Sequence, residues 1–341
     1  MTLAARAEAL LVRHWWQRQP TWLAWLLWPL SLVYGSLQHL HARQQARAAV
    51  RPLPVPVLVV GNHVVGGAGK TPTVIAVVQG LQQAGKRPGV ISRGHGRRAD
   101  TVQAVQPDST AQEVGDEPLL IQRRCGVPVW VGRDRAAAGR ALCNTHPDVD
   151  VLVSDDGLQH IALARQAELI LFDERGAGNG LLLPAGPLRS RLPAAVPPRA
   201  LVLYTSGQVS TALPGALALR HIHDAWPLQA WLAGDRSQCQ PLQALRGRPL
   251  LAAAGMAAPE KFFGMLQALG LTLQRLPLPD HHAYTTLPWP AGTADVITTE
   301  KDAVKLEPAR LGGTRVWVVP LDLTLPSGLL ADLIALLSPA P

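Results

Sequence analysis

The sequence predicts an α/β fold: a parallel-sheet lobe, a second and smaller α/β lobe, and an N-terminal membrane-associated helix. Three observations carry this. Short continuous apolar runs alternate with amphipathic stretches, the pattern of strands buried on both faces between helices. A Gly-rich loop, Gly66-Gly67-Ala68-Gly69, joins the first of those runs to a helix. Five of the ten Trp lie before residue 30. Hydrophobic residues make up 48% of the 341 and charged residues 16%, against roughly 25% charged in an ordinary soluble domain. That excludes a disordered or highly solvated chain. No repeat of fixed period appears, so coiled-coil, collagen and solenoid readings fail.

Residues 1–50 read as an amphipathic membrane anchor. Trp22 to Leu37 carries no charge, and Pro29 interrupts it. The run is shorter than the ~20 residues a spanning helix needs, and no small-residue cleavage site follows it. Trp15, Trp16, Trp22, Trp25 and Trp28 suit the headgroup boundary, where an indole is half wet. Arg6, Arg13, Arg18, Arg43, Arg47 and Arg51 flank the run against a single acid, Glu8. An interfacial anchor on anionic lipid is the expectation. A true span and a helix docked on the protein itself are the alternatives. In each case the Arg-rich flank favours the cytoplasmic face.

Residues 51–200 read as the first lobe. Pro52 and Pro54 end the anchor. Strands are expected at Val55–Val60, Pro88–Ser92, Val127–Val131, Val149–Ser154 and Glu168–Phe172, with helices over Thr71–Gln83 and Asp134–Asn144. The Pro-rich stretch Leu192–Arg199 reads as the linker. Residues 201–341 read as the second lobe. Here strands are expected near Ala200–Tyr204, Pro249–Ala253, Leu271–Leu276, Asp295–Thr298 and Arg315–Val319, and helices over Pro259–Leu269 and Gly328–Leu337.

Formal net charge is +8, and Arg supplies all but five of the 32 basic residues. This balance suits phosphates, nucleic acid or an anionic membrane face; a general Arg, Ala and Leu bias would give the same count. The Arg residues are spread along the chain without a nucleic-acid-binding motif, so no nucleic-acid partner is expected. Three Cys without a CxxC pair argue against a disulfide framework or zinc site and fit a reducing compartment.

The sharpest motif is Gly66-Gly67-Ala68-Gly69-Lys70-Thr71 between a buried strand and a helix, the context of a phosphate-binding P-loop. Glycines let backbone N–H groups cradle phosphate oxygens, the helix N-terminus adds positive potential, Lys70 reaches the outer phosphates and Thr71 can ligate Mg²⁺. The strict pattern has Gly where this chain has Val64. Asp155-Asp156 closes another buried strand, the Walker B position for Mg²⁺. Their repulsion is relieved by a cation; a solvated turn is the bland alternative. Asp116-Glu117 in Gly115-Asp116-Glu117-Pro118 reads equally as a helix N-terminus. The Asp280-His281-His282 loop lacks a third metal ligand at characteristic spacing. Ser92-Arg93-Gly94-His95-Gly96-Arg97-Arg98 is a basic loop suited to phosphate. Thr298 to Asp302 superficially resembles a guanine-reading loop but has no Asn and ends in Ala303, and it is the one suspect for adenine contacts.

Taken in order, GNxxxGGxGKTP, SRGxG, GDEP, DDGxQH, RGxGNGxLLPAGPLR, PDHH and TTEKDAVK resemble the tetraacyldisaccharide 4'-kinase family of lipid A biosynthesis, from about Val57 to Lys305. The resemblance implies ATP and Mg²⁺ as cofactors and tetraacyldisaccharide 1-phosphate as glycolipid substrate. Phosphoryl transfer to the 4'-hydroxyl gives lipid IVA at the cytoplasmic face of a Gram-negative inner membrane. It implies a P-loop NTPase-like first lobe. It assigns ATP to Gly66, Gly67, Ala68, Gly69, Lys70 and Thr71, and the metal to Thr71, Asp155, Asp156 and Glu117. It assigns catalysis to an Asp116–His281 dyad with Lys70 and Arg93, and substrate binding to Asn179, Gly180, Gln159 and His160. His95 stands where the family often has Tyr, and Ala254-Gly255-Met256-Ala257-Ala258-Pro259 lacks the usual Gly-Asn; both lie outside the phosphate machinery.

Two other classes compete. A membrane-associated P-loop NTPase would couple hydrolysis to a protein partner. A non-enzymatic scaffold would have no need of Lys70, Thr71, Asp155 and Asp156 together. The lobe carrying PDHH and TTEKDAVK favours the kinase. The sequence identifies no protein partner.

Overall fold

The computed structural model describes residues 10–47, 52–97 and 99–338. Arg6, Glu8, Arg51, Arg98 and the Arg47 side chain lie outside the described residues. Residues 10–15 are helical, and helix α1 (Trp22–Arg47) follows. Pro29 lies inside α1 rather than interrupting it. The ring removes one backbone donor, but Leu26, Leu27, Leu30 and Leu32 around it are good helix formers that carry the helix on. Among the described residues no helix is long and apolar enough to cross a membrane.

One side of α1 is docked. The Ser31 hydroxyl donates to the Leu182 carbonyl at 2.8 Å and accepts the Ala185 N–H at 3.0 Å; the Tyr34 hydroxyl donates to the Arg189 carbonyl at 3.0 Å. The other side leaves Trp22, Trp25, Leu26, Leu30, Val33 and Leu37 exposed.

The first sheet contains β1 (Val57–Gly61), β2 (Pro88–Ser92), β3 (Gln103–Ala104), β4 (Val129–Val131), β5 (Val151–Asp155), β6 (Ala167–Phe172), β7 (Ala200–Tyr204) and β8 (Ala216–Leu217). Their order is β3-β4-β2-β5-β1-β6-β7-β8, and only β3 runs antiparallel. Each apolar run feeds both faces. Leu58 and Val60 pack toward α2 (Lys70–Gln83), whereas Val57 and Val59 join the cluster with Ala138 and Leu142 of the helix Arg135–Thr145. Between these helices in sequence lie α3 (Ala111–Val114) and α4 (Asp116–Cys125), so Arg135–Thr145 is α5.

The second sheet has the order β11-β10-β15-β14-β12-β13. Its members are β10 (Asp224–Pro227), β11 (Gln240–Pro241), β12 (Leu250–Ala254), β13 (Leu273–Pro277), β14 (Asp295–Thr299) and β15 (Arg315–Val319). β12 to β15 are parallel, and β10 closes one side antiparallel. A ribbon of β9 (Leu219–His221) with β16 (Asp322–Thr324) links the chain leaving the first sheet to the chain returning. The helices are α6 (Leu228–Ala233), α7 (Pro259–Ala268), α8 (Glu300–Ala303) and α9 (Leu329–Leu337).

The expected cut after residue 200 does not follow the sheets. β7 and β8 extend the first sheet, and α9 returns to it, with Leu330 so close over Gly80 that a Cβ there would meet it at 2.9 Å. A buried strand has the same composition in either sheet, so pairing, not pattern, decides membership. One apolar cluster runs through both lobes, from Val60 and Leu119 to Ala253, Val296 and Val318.

Candidate active site

A cleft of about 2130 Å³ runs between the lobes, lined among others by Lys70, Thr71, Arg93, Glu117, Asp155 and His281. The Gly-rich loop forms one wall. Gly66 and Gly69 have φ of 83° and 79°, backbone that L side chains resist. The loop is tied from outside. Arg175 donates to the Gly67 carbonyl at 2.8 Å and the Thr205 hydroxyl to the Ala68 carbonyl at 3.1 Å. Lys70 opens α2; its Nζ donates to Asn62 Oδ1 at 3.3 Å and lies 3.8 Å from Asp156.

Asp155 ends β5, in register with Val60 beside it. It is 2% exposed. Its Oδ2 accepts the Ser92 hydroxyl at 3.2 Å, while its Oδ1 is buried with no partner among the described residues. Burial, with Glu117 and Asp156 as negative neighbours, pushes this carboxyl up to about 7. Asp156 has the opposite environment. Arg189 grips both its oxygens, at 2.6 and 2.9 Å. Burial alone would raise its pKa; Arg189 and Lys70 outweigh burial and hold it far below the usual carboxylate range.

Glu117 and His281 line the cleft, and behind them lies Asp116, the first residue of α4 and 5% exposed. His281 Nδ1 lies 2.9 Å from its Oδ2, and Lys305 Nζ lies 3.7 Å from the same oxygen. Burial would raise the Asp116 pKa, but the His281 hydrogen bond and the Lys301 and Lys305 charges lower it below its ordinary value. The same hydrogen bond raises His281. Glu117 faces Lys301 at 3.3 Å. Arg93, just past the end of β2, is exposed to the cleft.

These features meet what comparison with known proteins finds. The family model described as Tetraacyldisaccharide-1-P 4'-kinase matches residues 23–338. The chain belongs to that family. A Leptothrix cholodnii protein named tetraacyldisaccharide 4'-kinase is 53% identical over 98% of this chain and 96% of its own length. A Methylibium petroleiphilum protein of the same name is 51% identical over 98% and 95%. The crystal structure of LpxK from Aquifex aeolicus in complex with ATP superposes with a TM-score of 0.74 at 25% identity, over 93% of this chain and 100% of that one.

Within this member of the 4'-kinase family, the geometry brings Lys70, Thr71, Arg93, Glu117, Asp155 and His281 to one cleft, with Asp116 bonded to His281. Gln159 and His160 also line the cleft. Gln159 donates to the Asn62 carbonyl at 2.9 Å. His160 is pushed down to about 4 by burial, with Arg135 adding to the effect.

The two residues expected on the substrate from the 179–180 turn lie outside the cleft lining. Asn179 is 7% exposed and does not line the cleft. Its Nδ2 donates to the Ala185 carbonyl at 2.9 Å and its Oδ1 accepts the Leu181 N–H at 3.1 Å, so the side chain staples its own loop. Gly180 lines a separate hollow of about 380 Å³ beside Trp28 and Leu192. Asp156, expected on the metal, spends its oxygens on Arg189. The Thr298–Asp302 segment, suspected of adenine contacts, spans the end of β14 and the start of α8, lines the cleft through Thr299, Glu300 and Lys301, and directs Lys301 at Glu117. Sequence reasoning missed Arg189, Lys301, Lys305 and Asn62. Arg189 lay inside the quoted LLPAGPLR, and the two lysines lay one helical turn apart in TTEKDAVK.

Among the described residues no group of three or more His, Cys, Asp or Glu is arranged to hold a metal alone. Mg²⁺ in kinases is usually held by one or two carboxylates with substrate phosphates. The unpartnered Asp155 oxygen, raised by burial and negative neighbours, has the chemistry of such a ligand.

Proposed function

We propose that this chain transfers the γ-phosphoryl group of ATP to the 4'-hydroxyl of tetraacyldisaccharide 1-phosphate, forming lipid IVA at the cytoplasmic face of a Gram-negative inner membrane. The observation that carries this is the meeting, in one interlobe cleft, of a P-loop, an unpartnered buried Asp155 and a cleft-lining His281 bonded to a buried Asp116.

The roles follow from placement. Backbone N–H groups of Gly66 to Gly69, with Lys70, cradle the ATP phosphates. Asp155, Thr71 and Glu117 would hold Mg²⁺. When bound, Mg²⁺ neutralises charge on the β- and γ-phosphates. Asp116 accepts the proton of the attacking sugar hydroxyl. Its lowered pKa keeps it ionised and available at neutral pH, and His281 fixes its orientation. Arg93 and Lys70 offset charge spreading over the transferred group. Asp156 fixes Arg189 and Lys70 rather than the metal. Gln159 and His160 contact the glycolipid headgroup.

The exposed Trp22, Trp25, Leu26, Leu30, Val33 and Leu37 face of α1 lies on the membrane surface. The acyl chains then stay in the bilayer while the headgroup enters the cleft. We take residues 1–50 as this anchor, with the lobes on either side of the cleft closing to assemble the site.

The test is transfer of label from γ-labelled ATP to tetraacyldisaccharide 1-phosphate in mixed micelles with Mg²⁺. Labelled lipid that disappears in Lys70→Ala and Asp116→Ala supports the reading. Hydrolysis of ATP without labelled lipid overturns it.

A further inference from the structure

The turn after β6 carries Arg175, which does not line the cleft. Its guanidinium nevertheless joins three parts of the molecule. Nε donates to Asp173 Oδ2 at 2.8 Å. Nη2 donates to the Gly67 carbonyl of the P-loop at 2.8 Å. Its plane lies against the Trp16 ring, with Cζ 4.1 Å from the ring centroid.

Each partner is itself fixed. Asp173 is fully buried and also takes Lys261 of α7, at 3.1 Å, from across the lobe boundary. Trp16 is held in register by its neighbour. The Trp15 indole N–H donates to the Pro184 carbonyl at 2.8 Å, and the Trp15 carbonyl accepts the Asn179 N–H at 2.9 Å. Gly178 packs so tightly there that a Cβ would come within 2.3 Å of the Trp15 carbonyl.

A trans peptide unit points its C=O and N–H in opposite directions. Pinning the Gly67 carbonyl outward therefore turns the Ala68 N–H the other way, toward the phosphate side of the loop. The Thr205 bond to the Ala68 carbonyl does the same for the Gly69 N–H. Gly66 and Gly67 have almost no side-chain means of holding that orientation, since glycine is free to flip. The restraint must come from outside the loop, and Arg175 supplies it at Gly67.

We infer that Arg175 is a positioning residue for the ATP phosphates, and that Trp16 locks it in place. The N-terminal segment is then part of the nucleotide site's support as well as a membrane contact. The inference rests on the kinase reading, because it assigns the P-loop to ATP.

The experiment measures ATP binding by the full-length protein with Mg²⁺, by calorimetric titration without lipid, for wild type, Trp16→Leu, Trp16→Phe and Arg175→Lys. Leu keeps the apolar bulk for a membrane and removes the π face; Phe keeps a face. Arg175→Lys keeps the charge and loses the fork that reaches Asp173 and Gly67 together. Trp16→Leu is expected to weaken ATP binding about fivefold, the size of a partly exposed cation–π contact, and Phe to restore most of it. Arg175→Lys is expected to weaken it about tenfold. In turnover the loss is expected in KM for ATP, not in kcat, with Trp16→Leu partitioning onto phosphatidylglycerol-containing vesicles as wild type does. ATP affinity unchanged in both Trp16→Leu and Arg175→Lys overturns the inference. So does a Trp16→Leu protein altered only in vesicle partitioning. Wild-type protein that fails to bind ATP overturns the kinase reading itself. Because Trp16 lies outside the cleft and Phe is a small change, the Trp16 pair decides even if Arg175→Lys does not fold.

Discussion

Asp155→Asn is expected to abolish transfer and to stabilise the protein. The carboxyl sits at about 7 against an ordinary 3.8, raised by burial and by Glu117 and Asp156. Because the folded value lies above the unfolded one, the folded state holds an extra proton between about pH 4 and 7. Stability therefore falls as pH rises through that window and is lowest above pH 7. At about 1.4 kcal/mol per pH unit, the raised pKa costs the fold about 4 kcal/mol above pH 7, where Asp155 is ionised, and about 2 kcal/mol at pH 5, where folding must take up the proton. Asn is isosteric and uncharged, can accept the Ser92 hydroxyl, and escapes this cost. Denaturant unfolding from pH 5 to 8 in chelator should show a gain that grows with pH toward that ceiling. Excess Mg²⁺ should then stabilise wild type and not the variant, because only a species binding the folded state raises its stability. A variant less stable than wild type at pH 8 in chelator, or a gain independent of pH, would refute the reasoning.

Other outcomes follow from the same geometry. His281→Gln removes the imidazolium charge that, with Lys301 and Lys305, holds Asp116 low; the acid limb of the kcat/KM profile should move up, and an unmoved limb would count against the pairing. Arg189→Met leaves Asp156 partly buried with only Lys70, at 3.8 Å, as a cation, and should cost about 2 kcal/mol in unfolding free energy once partial exposure is discounted. Adding Asp156→Asn should recover most of it, as a double-mutant cycle would show. Asn179→Ala should cost about 1–2 kcal/mol in stability while leaving KM for the glycolipid unchanged; a KM change at unchanged stability would return Asn179 to substrate binding.

The central strands were legible because they are buried on both faces, so their runs are unbroken. Val57–Gly61 and Arg315–Val319 are of this kind. The short half-exposed strands β3, β8, β9, β10, β11 and β16 carry no such run. The membership of Ala200–Tyr204 was not legible, since the strand beside it in space lies beyond a Pro-rich stretch that reads as a linker. Pro29 misled in another way: its helix-breaking cost is real, but a long helix docked through Ser31 and Tyr34 absorbs it. The P-loop was legible because its parts are contiguous. Neither the Asp116–His281 pair nor the Arg189 grip on Asp156 is local. The first spans 165 positions and was reached only through resemblance; the second spans 33 and was not reached.

The charges of the cleft divide by lobe, and the division has mechanical content. Asp156 is paired entirely within the first lobe, by Lys70 and Arg189. Asp116 and Glu117 also belong to the first lobe, yet their partners His281, Lys301 and Lys305 all come from the second. The phosphate wall is thus complete by itself, whereas the acceptor wall exists only while the lobes are together. Helix α4 carries this connection at both ends. Its last turn places Arg124 on Glu300 and Asp322 of the second lobe, and Glu300 is almost fully buried with the Trp231 indole N–H on its other oxygen. Separating a buried, fully bonded pair costs far more than separating half-exposed groups that water can take over. Asp116 lies about 12 Å back along the same helix, where His281 and Lys301 are partly open to the cleft. The first turn of the helix is held as well: Lys305 meets Asp116 with both side chains nearly fully buried, so the acceptor carboxylate keeps this cation for as long as the lobes share that contact.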